Sequence, residues 1–160
     1  VGSEMCIRDS IDTITNIYEG YTNSVLKGSE VERLFEEYIE SHEDAVEFVY
    51  KNGDKGSQYF SIVYYTASSS HHFYPDYIVK MKNGDVYIVE TKGGESAKGE
   101  DKNIDEYAPL KYEALKAYLE KYNLKGAFIR DISGTLRYLN EGAWKDDMTD
   151  WHSIDELFGF

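Results

Sequence analysis

The chain has 160 residues, 41% hydrophobic and 15% aromatic, which suffices for one domain with its own core and excludes a disordered tail. No apolar run approaches the roughly 20 residues that span a bilayer. A single cysteine, Cys6, excludes an internal disulfide framework, so the cytoplasm is the expected location.

The net charge of −13 is unevenly spread. Residues 29–47 hold eight acids against Arg33 alone, and residues 141–160 hold six against Lys145 alone. Residues 48–140 carry thirteen Lys and Arg against twelve Asp and Glu, so the middle is near neutral. That balance gives no electrostatic footprint for nucleic acid, although bound divalent cations offset clustered carboxylates locally.

In chain order, VGSEMCIRDS (residues 1–10) shares no pattern with the rest of the chain, resembles translated adaptor sequence and is read as non-native. Residues 11–28 are read as a linker from a region further toward the N-terminus. Ser29 opens a helix: with Glu32 it fits a capping box, and Val31, Leu34, Phe35, Tyr38 and Ile39 recur at helical spacing, leaving the glutamates outward. The helix fades near Ser41-His42, and residues 44–51 are ambiguous between a second short helix and an extended segment. Tyr59 to Thr66 (YFSIVYYT) reads as a strand and Ala67 to His72 as a loop. Phe73 to Lys82 and Asp85 to Lys92 read as two strands around Asn83-Gly84, a hairpin signal. Gly93 to Lys102 is a polar loop, and Ile104 to Tyr122 a helix whose regular part starts at Pro109. Gly126 to Ile132 is a fourth strand, and Leu136 to Asn140 a candidate fifth. The order predicts an α/β sandwich with a mixed sheet, the fourth strand lying parallel to the third because a helix connects them.

The chemistry concentrates in FYPDYIVKMKNGDVYIVETKGG. Glu90 and Lys92 share one face of their strand, and a carboxylate and an ammonium at the end of a buried strand are costly unless they serve each other or a metal. The hairpin register decides whether Asp76 joins them. A two-residue loop at Asn83-Gly84 sets Asp76 against Thr91, pointing away from Glu90. A three-residue loop, with Gly84 left-handed in a bulge, sets Ile78 against Ile88 and Asp76 against Glu90. Opposed residues have Cβ atoms roughly 4.5–5.5 Å apart, a span that one hard cation bridges. His71-His72 has no second ligand pair at zinc spacing, and no G-x-x-x-x-G-K-[ST] motor motif occurs.

Pro75-Asp76, a hairpin, then Glu90-Thr91-Lys92-Gly93 resembles the signature of the PD-(D/E)XK nuclease superfamily. The likeness is nearest to the C-terminal endonuclease domain of type III restriction enzyme Res subunits and related helicase–nuclease proteins. Ser29 with Glu32, Lys51-Asn52 ahead of FSIVYY, YPDYIV and VETKG all match, across about Ser29 to Asn140. The resemblance implies a restriction-endonuclease-like αβββαβ core over residues 29–140, with residues 141–160 an acidic tail packing on it. It implies Asp76, Glu90 and Lys92 as catalytic residues of a DNA endonuclease. Mg²⁺, or Mn²⁺ in its place, would be held by Asp76, Glu90 and the Thr91 carbonyl, with Glu32 reaching it through water or serving only as a helix cap. Lys92 would orient the attacking water, while Lys111 and Lys51 are candidate phosphate contacts. The partners implied are DNA, a helicase/ATPase region and a methyltransferase specificity subunit. Two other readings stand beside it: a non-catalytic nucleic-acid-binding or interaction module on a nuclease-like fold, and a stand-alone repair or phage-type nuclease.

Overall fold

A computed structural model describes residues 29–53, 57–93 and 106–160, so the readings of residues 1–10, 11–28 and the loop 94–102 lie outside it. Helix α1 (Glu30–Ser41) starts where Ser29, in an extended conformation, accepts the Glu32 N–H on its hydroxyl at 3.3 Å. Glu30 and Glu32 in the first turn complement the positive end of the helix dipole. Val31, Phe35 and Ile39 form its buried stripe. The expected outward glutamates hold with one exception. Glu36 is only 3% exposed, because Lys51 and Tyr77 meet its carboxylate inside.

Residues 44–51 resolve into strand β1 (Val46–Lys51). A bulge between Val46 and Phe48 lets Val46 and Val49 both face the core. Three-residue spacing of apolar side chains is what a helix shows as well, hence the ambiguity. The segment after it differs from the expected single strand and loop. Of YFSIVYYT only β2 (Ile62–Tyr65) is strand, and it pairs with β3 (Ser70–Phe73), which takes up part of the expected loop, in a separate two-stranded sheet. The predicted strand 73–82 is split, Phe73 closing β3 and Tyr77 opening β4 (Tyr77–Met81). The break falls at Pro75, which has no N–H for a ladder.

Strand β4 turns into β5 (Val86–Thr91), and helix α2 (Ala108–Tyr122), with Pro109 in its first turn, leads to β6 (Lys125–Ile132). Then come β7 (Thr135–Leu139), β8 (His152–Ser153) and helix α3 (Ile154–Phe158). The main sheet has six strands in the order β1-β4-β5-β6-β7-β8, with β5 and β6 parallel and every other pair antiparallel. The fold is mixed α/β, and residues beyond 140 add the last strand and a helix to it.

Strand alternation divides the core between the two faces of this sheet. On one, Phe35 and Ile39 of α1 and Phe158 of α3 cover Tyr77, Val79 and Val89. On the other, Tyr112 and Leu115 of α2, with Ile62 and Phe73 of the small hairpin, cover Ile88 and Phe128. Fully burying side chains of this size contributes about 1.5–3 kcal/mol each. Ile88 and Glu90 lie on the same side of β5, so Glu90 faces α2 and the hairpin. Among the described residues no helix is long and apolar enough to cross a membrane.

Candidate active site

The β4–β5 hairpin adopts the three-residue register. Ile78 pairs with Ile88 and Tyr77 with Val89; Met81 N donates to Asp85 O at 2.8 Å, and Gly84 N to Met81 O at 2.9 Å. Gly84 has φ 97°, a conformation that a side chain would resist. Asn83 fixes the turn by accepting the Asp85 N–H on Oδ1 at 2.8 Å. This register brings Asp76 to the β5 end that carries Glu90.

Asp76 Oδ2 accepts both the Thr91 N–H at 2.7 Å and the Thr91 hydroxyl at 2.6 Å. The carboxylate thus replaces a main-chain acceptor at the end of the ladder. Two more steps of the register would oppose Pro75 to Thr91, and proline has no N–H to give the Thr91 carbonyl. The Pro75 carbonyl is itself occupied by Asn52 Nδ2 at 2.9 Å. Asn52 also donates its backbone N–H to Asp76 O at 2.8 Å, and its side chain joins the Phe60 backbone through both amide atoms. It ties the approach to Asp76 to β1.

Glu90 is 5% exposed, with Oε1 2.7 Å from Lys92 Nζ. Its other oxygen, Oε2, is buried without a hydrogen-bond partner. Burial, followed by the negative charge of Asp76, pushes the Glu90 carboxyl up to about 8 against the pull of Lys92 and Lys111. Burial also raises Asp76, to about 6, opposed by the two Thr91 bonds and reinforced by the charge of Glu32. Asp76 keeps more of its surface in water than Glu90 does. A pair of carboxyls forced upward together, one with an orphaned oxygen, is a setting that a divalent cation relieves. The donor set fits a hard cation: two carboxylates, and a carbonyl whose strand neighbour cannot donate to it.

The remaining expected residues fall into two groups. Lys111, in the first turns of α2, sits where its charge reaches Glu90. Lys51 is instead engaged internally, 2.7 Å from Glu36 and 3.7 Å from Glu32, with its side chain 17% exposed. Glu32 gives its backbone N–H to the Ser29 cap and pairs with Lys51 through its side chain. Among the described residues, no three His, Cys, Asp or Glu side chains converge at metal-holding spacing, so Glu32 does not complete a three-acid cage. Compared with protein-family models the chain matches none, and no curated protein matches it.

Two site-supporting residues escaped the sequence reading. Glu36 receives the Tyr77 hydroxyl at 2.5 Å as well as Lys51, anchoring α1 to the strand that follows Asp76. Its signal was position: it directly follows Phe35 and precedes Ile39 by three, on the border of the apolar stripe. Arg130 of β6 is fully buried, donating from Nε to Gly93 O at 2.9 Å and from Nη1 to Asp146 O at 2.8 Å. Its guanidinium lies 5.2 Å from the Trp151 ring centre, joining the turn after Lys92 to the C-terminal segment. Nothing in GAFIRDI marks that arginine as inward.

Proposed function

We propose that the chain is a metal-dependent deoxyribonuclease domain of the PD-(D/E)XK kind, hydrolysing DNA phosphodiester bonds with Asp76, Glu90 and Lys92. The observation that carries this reading is the hairpin register, which gathers Asp76, Glu90 and Lys92 at one strand end and leaves Glu90 Oε2 buried and unpartnered. Chain order supports it: α1, β1, β4, β5, α2 and β6 follow the αβββαβ succession of a restriction-endonuclease-like core, with β2–β3 inserted after the first strand.

In this reading the Asp76 and Glu90 carboxylates and the Thr91 carbonyl hold Mg²⁺, or Mn²⁺ in its place. Such an ion, when bound, polarises the scissile phosphate and acidifies a water. Thr91 fixes Asp76 through two hydrogen bonds, so that carboxylate is oriented before any ligand arrives. Lys92 Nζ orients the attacking water and neutralises charge growing on the phosphate oxygens. Lys111 approaches the same site from α2 and contacts a flanking phosphate, a role that Lys51 gives up to Glu36. The partners proposed on the sequence resemblance alone are a helicase/ATPase region and a methyltransferase specificity subunit.

A plasmid-nicking assay tests this reading. With Mg²⁺ or Mn²⁺ the chain should convert supercoiled DNA to open circles; Asp76→Asn and Lys92→Ala should not. A chain that binds DNA but nicks none under either metal would be the non-catalytic module instead.

A further inference from the structure

The face of the sheet that carries Glu90 also carries a cluster of rings that catalysis does not use. Tyr64 and His71 are cross-strand partners in the small hairpin, their ring centres 5.2 Å apart and planes 25° from parallel. Tyr107, just before α2, lies 6.2 Å from each ring and is inclined 25° to His71. Lys111, one turn further on, donates its backbone N–H to Tyr107 O and sets Nζ 6.0 Å over the Tyr64 ring. The charge of that same lysine reaches Glu90. Tyr64 is 7% exposed, whereas Tyr107 stays 38% exposed. Beside Tyr64 an open groove of about 570 Å³ runs between β2 and α2, walled by Tyr65, Leu110, Ala114 and Tyr118, with Lys121 at its edge. His71 is five residues from Asp76, a reach of at most about 18 Å, so the rings stand within a few nucleotides of the carboxylates.

From this placement we infer that Tyr107, backed by His71 and Tyr64, is a stacking platform for an unpaired nucleobase, and that the DNA this domain takes is single-stranded near the scissile bond. The inference rests on the nuclease reading above and extends it to the substrate. Phosphate neutralisation is what holds duplex DNA, and this chain is acidic overall with a near-neutral middle. Aromatic stacking needs no such charge. It adds about 1–3 kcal/mol per base and tolerates any sequence, because every base has a π-face. A duplex keeps its base faces inside the stack, where Tyr107 cannot reach them; an unwound strand presents them.

Equilibrium binding tests the platform without depending on cleavage. The full chain carrying Lys92→Ala, in Mg²⁺, is titrated by fluorescence anisotropy against a labelled oligothymidylate, an abasic strand of equal length, and the corresponding duplex. The oligothymidylate should bind tighter than both others. Tyr107→Ala should weaken it by about five- to a hundred-fold, the span of one stacked base, while the abasic strand is unaffected. Tyr107→Trp should restore the preference, which a merely misfolded alanine variant could not explain. Equal affinity for normal and abasic strands, a Tyr107→Ala chain that keeps the preference, or tighter duplex binding would each overturn the platform. If the Lys92-containing chain nicks DNA but binds it independently of its bases, the platform is wrong and the nuclease reading stands. If base-dependent binding appears without any cleavage, the nuclease reading fails and the stacking site stands.

Discussion

Replacing Asp76 with asparagine should stabilise the metal-free protein at alkaline pH. The side chain keeps an oxygen for the Thr91 N–H and hydroxyl, the two bonds Asp76 accepts, and loses only its charge. Burial raises the Asp76 carboxyl from 3.8 to about 6, roughly two units at about 1.4 kcal/mol each, so ionising it costs up to about 3 kcal/mol. Partial access to water makes that a ceiling. A carboxyl raised in the folded state keeps a proton that the unfolded chain has released. Its contribution is therefore fully present below about pH 4 and is lost as pH rises through about 6. Glu90 extends the same decline to about pH 8. Asp76→Asn should thus match the parent at pH 4 and exceed it by about 1–3 kcal/mol at pH 8. At about 2–4 °C per kcal/mol, that is a Tm higher by about 2–12 °C in thermal melts with EDTA. Adding Mg²⁺ at pH 8 should raise the parent's Tm and leave the variant's nearly unchanged, since only a state that binds ligand is stabilised by it. An Asp76→Asn chain equally destabilised at pH 4 and pH 8 would show that the carboxylate is a structural bond and not a charge held at a desolvation cost.

Tyr77→Phe should cost about 1.5–3 kcal/mol in urea unfolding, because it removes the hydroxyl bonded to buried, charged Glu36. Arg130→Met should cost about 2–4 kcal/mol by the same measurement, since the Gly93 and Asp146 carbonyls lose their donors. It should also lower cleavage while metal-induced stabilisation persists, because Gly93 follows Lys92. Cutting by the unaided chain should be weak, and fusion to a basic DNA-binding module should raise the rate without changing the metal requirement. Efficient cleavage at physiological salt without the fusion would contradict this.

The hairpin was legible because each of its parts is local. Asn83-Gly84 fixes a turn within a few residues, and the two candidate registers differ by one step, so chemistry could rank them: only one brings Asp76 to Glu90. The parallel pairing of β5 and β6 follows from the helix between them. What could not be read depends on partners distant in sequence. The strand pattern of Ile62 and Tyr64 is genuine, yet alternation says nothing about which sheet a strand joins, and this one joins β3. Val46 and Val49 imitate a helix because a bulge lies between them. Glu36 and Arg130 break the rule that charge stays outside, and their compensation comes from Lys51, Tyr77, Gly93 and Asp146, none adjacent in sequence.

The same contrast explains why the site is built as it is. Two poorly hydrated carboxyls would move out toward water if the backbone allowed it, yet Asp76 is fixed from three directions. Thr91 takes its side chain, Asn52 takes its carbonyl, and Tyr77 beside it is bonded to Glu36 beneath α1. Glu90 is held by the parallel ladder to β6, which Lys92 continues by donating its N–H to Ile129 O at 2.8 Å. The cost of burial therefore cannot relax by movement and appears as raised pKa values, with the charge of Asp76 adding to it at Glu90. A cation that binds between the two carboxyls must release their protons, so its affinity should climb from pH 6 to pH 9 and its binding should acidify a weakly buffered solution. Isothermal titration with Mg²⁺ in buffers of different ionisation enthalpy measures that release directly. A proton count of zero at pH 7 would mean that the ion sits elsewhere, whatever the cleavage assays show.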